Sequence, residues 1–223
     1  MDIRSHKKLV AQDVYPDTAN DVVRGVRFDG SSYLYRTPSV SGDEKKWTLS
    51  VWLKRNDITT FASLFSTGSQ NSNSAERFYL AIRPQIELLN WTNSSNYHAR
   101  FDSPVLRDLG SWYHIVIVAD VANAADRWKI FINGTKVTLT FSQGPNNSNS
   151  SVNRSGRIHH IGRDDSYTDY PPGNITKDYM SNFYLVDGQA LQPTDFGYYD
   201  TSTGQWKPKA LSLIHISEPT RPY

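Results

Sequence analysis

Hydrolysis of a glycosidic bond needs two carboxyl groups flanking it, one to give a proton and one to attack or to activate water. Before residue 211 the chain has three glutamates, Glu44, Glu76 and Glu87. None has a second carboxylate two or four positions away, the spacing that would put both on one face of a strand. Asp43 and Glu44 are adjacent, so on a strand they would face opposite sides; with Lys45 and Lys46 beside them they read as a charged loop. The chain is therefore expected not to be an enzyme. It has no cysteine for a thiol nucleophile and no G-x-S-x-G elbow. His159 and His160 are consecutive, so on a strand only one can face a given side, and they read as packed or edge histidines rather than a metal pair. Asp164, Asp165 and Asp169 share one loop and are candidate Ca²⁺ ligands. Their spacing matches no defined calcium loop, so a solvated acidic loop and no cofactor are expected.

Recognition of a sugar without chemistry asks for flat rings that stack on the apolar side of a pyranose, with donors and acceptors around them. Three aromatics fall on strand faces that are otherwise polar. Trp52 alternates with Thr48, Ser50 and Lys54; Tyr79 with Arg77 and Arg83; Tyr184 with Asn182. If their strands adjoin, Trp52, Tyr79 and Tyr184 would line one shallow groove together with Arg77, His98 and Arg100. The competing reading is that these rings simply cover a sheet, each contributing about 1–2 kcal/mol of burial. Trp91 and Trp112 are expected in the core.

The elements that would position these residues are strands. Residues 111–141 read as Trp112–Asp120, Trp128–Asn133 and Thr135–Phe141, with the last two joined at Asn133-Gly134, a dipeptide suited to positive φ at both centres of a tight turn. Ile115, Ile117 and Ala119 alternate with His114, Val116 and Val118, and Leu49, Val51 and Leu53 with Thr48, Ser50 and Trp52. Further strands are expected at 22–28, 32–36, 61–66, 77–83, 85–91, 97–101, 157–162 and 180–187, roughly eleven in all, with one helical turn at Pro193–Phe196. Segments 68–76, 93–96 and 142–156 are Asn- and Ser-rich loops.

With 223 residues, 13% aromatics and a formal net charge of +2, the chain suits one large all-β domain. Its lysines and arginines are scattered in pairs, so no nucleic-acid partner is expected. No run approaches the ~20 apolar residues of a membrane span, and no signal peptide opens the sequence. Residues 1–20 read as an N-terminal extension and 21–210 as the domain.

FDGSSYLYRTPS, WTLSVWLKR, SWYHIVIVAD, WKIFINGTKV and FYLVDGQALQPTDFG occur in this order. Over roughly residues 22–205 the chain resembles laminin-G-like, concanavalin A-like lectin/glucanase jelly rolls. YLVDGQALQPTDFG followed by YYDTSTGQWKPKA is similar to a narrower group in structural, tail-associated proteins of tailed bacteriophages. The resemblance implies an all-β, two-sheet antiparallel jelly-roll sandwich with one concave sheet. It also implies a non-catalytic binding module located in a virion or outside a cell. The partners it implies are glycans on a host surface or neighbouring virion proteins. A bacterial surface or secreted adhesin and a polysaccharide-acting enzyme are the alternatives. The closing segment LSLIHISEPTRPY, residues 211–223, resembles a translated sequencing adapter, which implies that the natural chain continues past Ala210.

Overall fold

The computed structural model describes residues 25–58, 62–68, 77–83, 85–92, 95–100, 106–143, 147–164 and 174–211. In chain order the strands begin with β1 (Val26–Arg27), β2 (Leu34–Arg36), β3 (Lys46–Lys54), β4 (Ala62–Gly68), β5 (Arg77–Arg83) and β6 (Gln85–Thr92). Next come β7 (Ser95–Arg100), β8 (Trp112–Asp120), β9 (Trp128–Ile132), β10 (Thr135–Lys136) and β11 (Thr140–Gln143). The last are β12 (Ile158–Ile161), β13 (Arg163–Asp164), β14 (Asn174–Ile175), β15 (Tyr179–Asp187), β16 (Gly197–Tyr199) and β17 (Trp206–Pro208). A single 3-10 turn, Pro193–Asp195, is the one helical piece among the described residues.

Two antiparallel sheets carry the molecule. The six-stranded sheet runs β1-β15-β3-β8-β9-β10 and the seven-stranded sheet β11-β7-β6-β5-β4-β12-β2. Two ribbons, β13-β14 and β16-β17, lie outside them. The strands with the clearest alternation occupy central positions, because a strand flanked on both sides must satisfy both ladders and bury a full face. β3 pairs with β8 without interruption from Lys46↔Asp120 to Lys54↔Trp112, and β5 with β6 from Arg77↔Trp91 to Arg83↔Gln85. Asn133 and Gly134 both have positive φ, 48° and 79°, and turn β9 back into β10.

Between the sheets lies one apolar layer, built from Leu49, Val51 and Leu53 of β3, Phe78, Leu80 and Ile82 of β5, and Ile115 and Ile117 of β8. Trp47 sits at its centre, edge-on to Phe78 at 5.3 Å and to Trp128 at 5.4 Å. The two-sheet sandwich expected from the alternation is what forms.

Several strands depart from the expected half-burial: in the seven-stranded sheet β4 is buried along its whole length, as are Ile86–Asn90 of β6. β3 and β8 are buried on both faces: Thr48, Ser50, Trp52, His114, Val116 and Val118, opposite the core, are as inaccessible as the residues inside it. The cover is residues 188–211, which fold back over the outer face of the six-stranded sheet. Val116, Val118, Phe131, Val186 and Phe196 form a second apolar cluster beneath this cover, with Tyr184, Leu191 and Leu211 packed against it. Thr48 Oγ1 fastens the segment twice, donating to the Gln189 carbonyl (2.7 Å) and accepting from the Leu191 N–H (2.9 Å). Residues 1–24 and 212–223, which include all of the expected extension and most of the adapter-like tail, lie outside the described residues.

Candidate functional site

The second cluster decides the fate of two candidate stacking residues. Trp52 is 3% exposed. Its indole stacks on the His114 ring at 4.9 Å with an interplanar angle of 16°, and His114 in turn stacks on Trp206 of β17 at 6.0 Å and 20°. Trp206 Nε1–H donates to His114 Nδ1 (2.9 Å), so the imidazole proton sits on Nε2, 2.8 Å from Ser50 Oγ. Burial lowers the His114 pKa to about 3, which keeps this ring neutral. The side of β3 on which Trp52 falls was read correctly, but that side is not solvent, and Trp52 cannot meet a sugar. Tyr184 is half-buried in the same cluster, 5.9 Å from the Phe196 ring, and burial raises its hydroxyl pKa.

Tyr79 belongs to the other sheet. Trp52 and Tyr184 face outward from the six-stranded sheet and Tyr79 from the seven-stranded one, so the three rings occupy opposite sides of the sandwich. The expected common groove does not form. The register instead gathers a different row on the outer face of the seven-stranded sheet: Tyr35↔His160↔Ser66↔Tyr79↔Leu89↔His98. Tyr79 is half-buried and its hydroxyl donates to Glu87 Oε1 at 2.7 Å. Arg77 pairs with Trp91, and its guanidinium lies 4.9 Å from the indole centroid. Trp91 is therefore half-buried on this outer face and not a core residue. His98 and Arg100 of β7 share the sheet, opposite Leu89 and Glu87; their side chains lie outside the described residues.

At the β2 edge of this face the rings come closest together. Tyr33 lies 5.6 Å from His160 and 6.2 Å from Tyr35, and the Arg163 guanidinium stands over Tyr33 at 4.5 Å. Tyr35 is 65% exposed, the most open aromatic ring among the described residues. This cluster was not singled out in the sequence. Its only signal there is Tyr33 and Tyr35 at alternate positions beside an arginine, which is common on any strand. His159 and His160 divide between the two faces as consecutive residues must. His159 Nε2 accepts the Asn153 N–H at 3.0 Å, and its pKa falls to about 4, chiefly through burial.

Of the glutamates described, Glu44 is held by Arg154 (2.6 Å) and Asn149 (2.9 Å), which keep its carboxyl below the usual range although its partial burial, the largest single influence, pushes the other way. Glu87 is buried against Tyr79. Glu44 precedes β3 and Glu87 lies on β6, and Glu76 lies outside the described residues. Asp164 falls in β13, opposite Asn174; Asp165 and Asp169 lie outside the described residues. Among the described residues no group of three His, Cys, Asp or Glu side chains is arranged to hold a metal ion, and no helix is long and apolar enough to cross a membrane.

Comparison with solved structures gives the same sandwich in several settings. The chain is 17% identical to the CBM40 of the Ruminococcus gnavus IT-sialidase bound to α2,3 sialyllactose, covering 78% of this chain and 95% of that one, with a TM-score of 0.52. It is 12% identical to domains LG4-5 of the mouse laminin α1 chain, over 92% of this chain and 50% of that one, with a TM-score of 0.53. It is 16% identical to full-length tailspike protein 2 of Escherichia coli O157:H7 bacteriophage CAB120, over 77% of this chain and 23% of that one, with a TM-score of 0.50. At such identities the likeness is one of fold. No protein of curated function is similar to the chain in sequence. The family described as the concanavalin A-like lectin/glucanases superfamily matches residues 28–180, more than half of the chain. With its two antiparallel sheets and single intervening core, the chain belongs to that superfamily.

Proposed function

We propose that the chain is a non-catalytic glycan-binding module of a virion or another extracellular assembly. Its recognition surface is the β2 edge of the seven-stranded sheet, where the outer face opens to solvent at Tyr35. The observation that carries this reading is the ring cluster Tyr33, Tyr35 and His160, with Tyr35 open to solvent and Arg163 over Tyr33. An accessible ring held by neighbouring rings offers a stacking platform at low entropic cost. The CBM40 bound to sialyllactose and the phage tailspike, both of this fold, support a carbohydrate partner and a virion setting. That none of the glutamates before residue 211 has a second carboxylate two or four positions away supports binding without hydrolysis.

Glycan-array screening followed by calorimetry tests the reading. Binding is expected, with no release of reducing sugar, and Tyr35→Ala should weaken it roughly tenfold, the loss of one stacking ring. Binding undiminished by Tyr35→Ala, or absent across the array, overturns it. A second reading rests on a different observation. Leu34, Tyr35 and Val40 are each exposed within one short segment, and exposed apolar side chains there suit contact with a neighbouring virion protein. Co-purification of that neighbour, lost with Leu34→Asp, would favour it.

A further inference from the structure

The cover on the six-stranded sheet stops one row short of the end of β3. The row beneath Trp206 is Ser181↔Trp52↔His114, and the next one is Tyr179↔Lys54↔Trp112. That row is not sealed. Trp112, Tyr179 and Lys54 are each half-buried, and Arg27, paired with Tyr179 on β1, is exposed. A cleft of 410 Å³ opens here, lined by Lys54, Arg55, Asn56, Leu109, Trp112 and Tyr179.

Three features make this a built site. Cation and ring alternate along one line across four strands: Arg27, Tyr179, Lys54, Trp112. The Arg27 guanidinium lies 5.8 Å from the centroid of Tyr179. Trp112 and Tyr179 flank Lys54 on neighbouring strands, and the Trp112 ring leans across β3 toward β1, where a Cβ on Gly25 would lie 2.9 Å from it. The floor is fixed by a buried pair, Arg55 Nε to Asp178 Oδ2 at 2.9 Å, with Arg55 Nη2 donating to the Asp57 carbonyl and the Asn56 N–H donating to Asp178 Oδ1 at 2.7 Å. Because Arg55 and Asp178 neutralise each other, the accessible charge of the cleft comes from Lys54, with Arg27 outside the lining beside Tyr179. Asp108, whose charge interacts with Lys54, accepts from the Gly110 N–H and the Ser111 hydroxyl within its own turn.

From this alternation we infer a second carbohydrate site, one for a linear polysaccharide of uronic acids. Each sugar of such a chain presents an apolar pyranose face and a carboxylate at its edge. Rings that alternate with cations along a line match that repeat, whereas a neutral glycan would leave Lys54 and Arg27 unused. A single terminal acidic sugar would need one cation, not two. The inference is independent of the reading above, since the two surfaces lie on opposite outer faces of the sandwich.

Calorimetry of the full chain with tetragalacturonate, with neutral galactotetraose as control, tests it. Tetragalacturonate should bind, galactotetraose should bind roughly tenfold more weakly or not at all, and the affinity should fall as salt is raised. Lys54→Gln should weaken tetragalacturonate roughly tenfold, and Arg27→Gln should weaken it several-fold. Lys136→Gln, which removes the same charge from an exposed side chain at the far edge of the sheet, should change nothing. Circular dichroism establishes that each variant is folded. Absence of binding, equal affinity for both oligosaccharides, or equal losses from Lys54→Gln and Lys136→Gln overturns the proposal.

Discussion

His114 and His159 give the molecule a pH response that can be assigned to two side chains. Both are buried neutral, with pKa values lowered from 6.5 to about 3 and about 4, in each case chiefly by burial. A protonated imidazole at either place would lose the acceptor nitrogen that receives a hydrogen bond, from Trp206 in one case and from the Asn153 backbone in the other. The unfolded chain, by contrast, takes up both protons near pH 6.5. The stabilisation is therefore fully present above that pH and is lost progressively as the pH falls toward 4 for His159 and toward 3 for His114. The slope is at most about 1.4 kcal/mol per pH unit for each group. Urea unfolding between pH 7.5 and 5 should show stability falling below pH 6.5, against the opposite contribution of Asp178 and Asp187, whose carboxyl pKa values burial raises. A flat profile that persists in variants with both aspartates replaced by Asn would refute the assignment. The same residues mark what the sequence could tell at this scale. Alternation puts Trp52 and His114 on the face opposite Leu53 and Ile115, and they are there. What alternation cannot tell is whether a face meets water or a second layer, because Thr, Ser, Trp and His suit both.

At the scale of elements, the long central strands were legible and the covering segment was not. β5 and β8 have the bounds their alternation predicts, Arg77–Arg83 and Trp112–Asp120, because each pairs on both sides and its register is fixed by a buried face. Edge strands were read too long: the expected 22–28 reduces to Val26–Arg27 within the described residues, and 135–141 splits into β10 and β11. Residues 188–211 have no extended alternation and hold the sheet through single side chains, of which Trp206 is the largest. The Asn133-Gly134 turn links the two kinds of element. Gly134 has φ +79°, and a Cβ there would lie 2.7 Å from the Trp206 ring; Gly188 has φ +72° with nothing within 4 Å. Gly188→Ala should therefore cost only the backbone strain, about 1 kcal/mol. Gly134→Ala should cost about 2–3 kcal/mol, because Trp206 must also move and its bond to His114 is lost. Denaturant unfolding of the two variants checks the difference; equal losses would mean that Trp206 is not seated against the turn.

On the scale of the whole molecule, the boundary of the domain is set by what the six-stranded sheet needs to hide. The family match ends at residue 180, partway along β15 and before the cover begins. A chain stopped after Gly188 would keep every strand of both large sheets, yet it would bare Trp52, Val116, Val118, Phe131 and Val186 on one outer face. At ~1.5–3 kcal/mol for each side chain, the burial lost is roughly 10 kcal/mol as an upper estimate. That is comparable with the entire ~5–15 kcal/mol by which a domain of this kind is stable. The truncated chain should therefore aggregate or bind a hydrophobic dye strongly, whereas the chain extending to Leu211 should stay monodisperse and bind little. Light scattering with dye fluorescence reads both. A well-folded, monodisperse truncation would mean that the second cluster contributes little and that the sandwich is sufficient alone. The expected failure would instead make residues 188–211 an integral layer of the domain. It would also leave the row at Lys54, Trp112 and Tyr179 as a half-buried stretch that the cover does not reach.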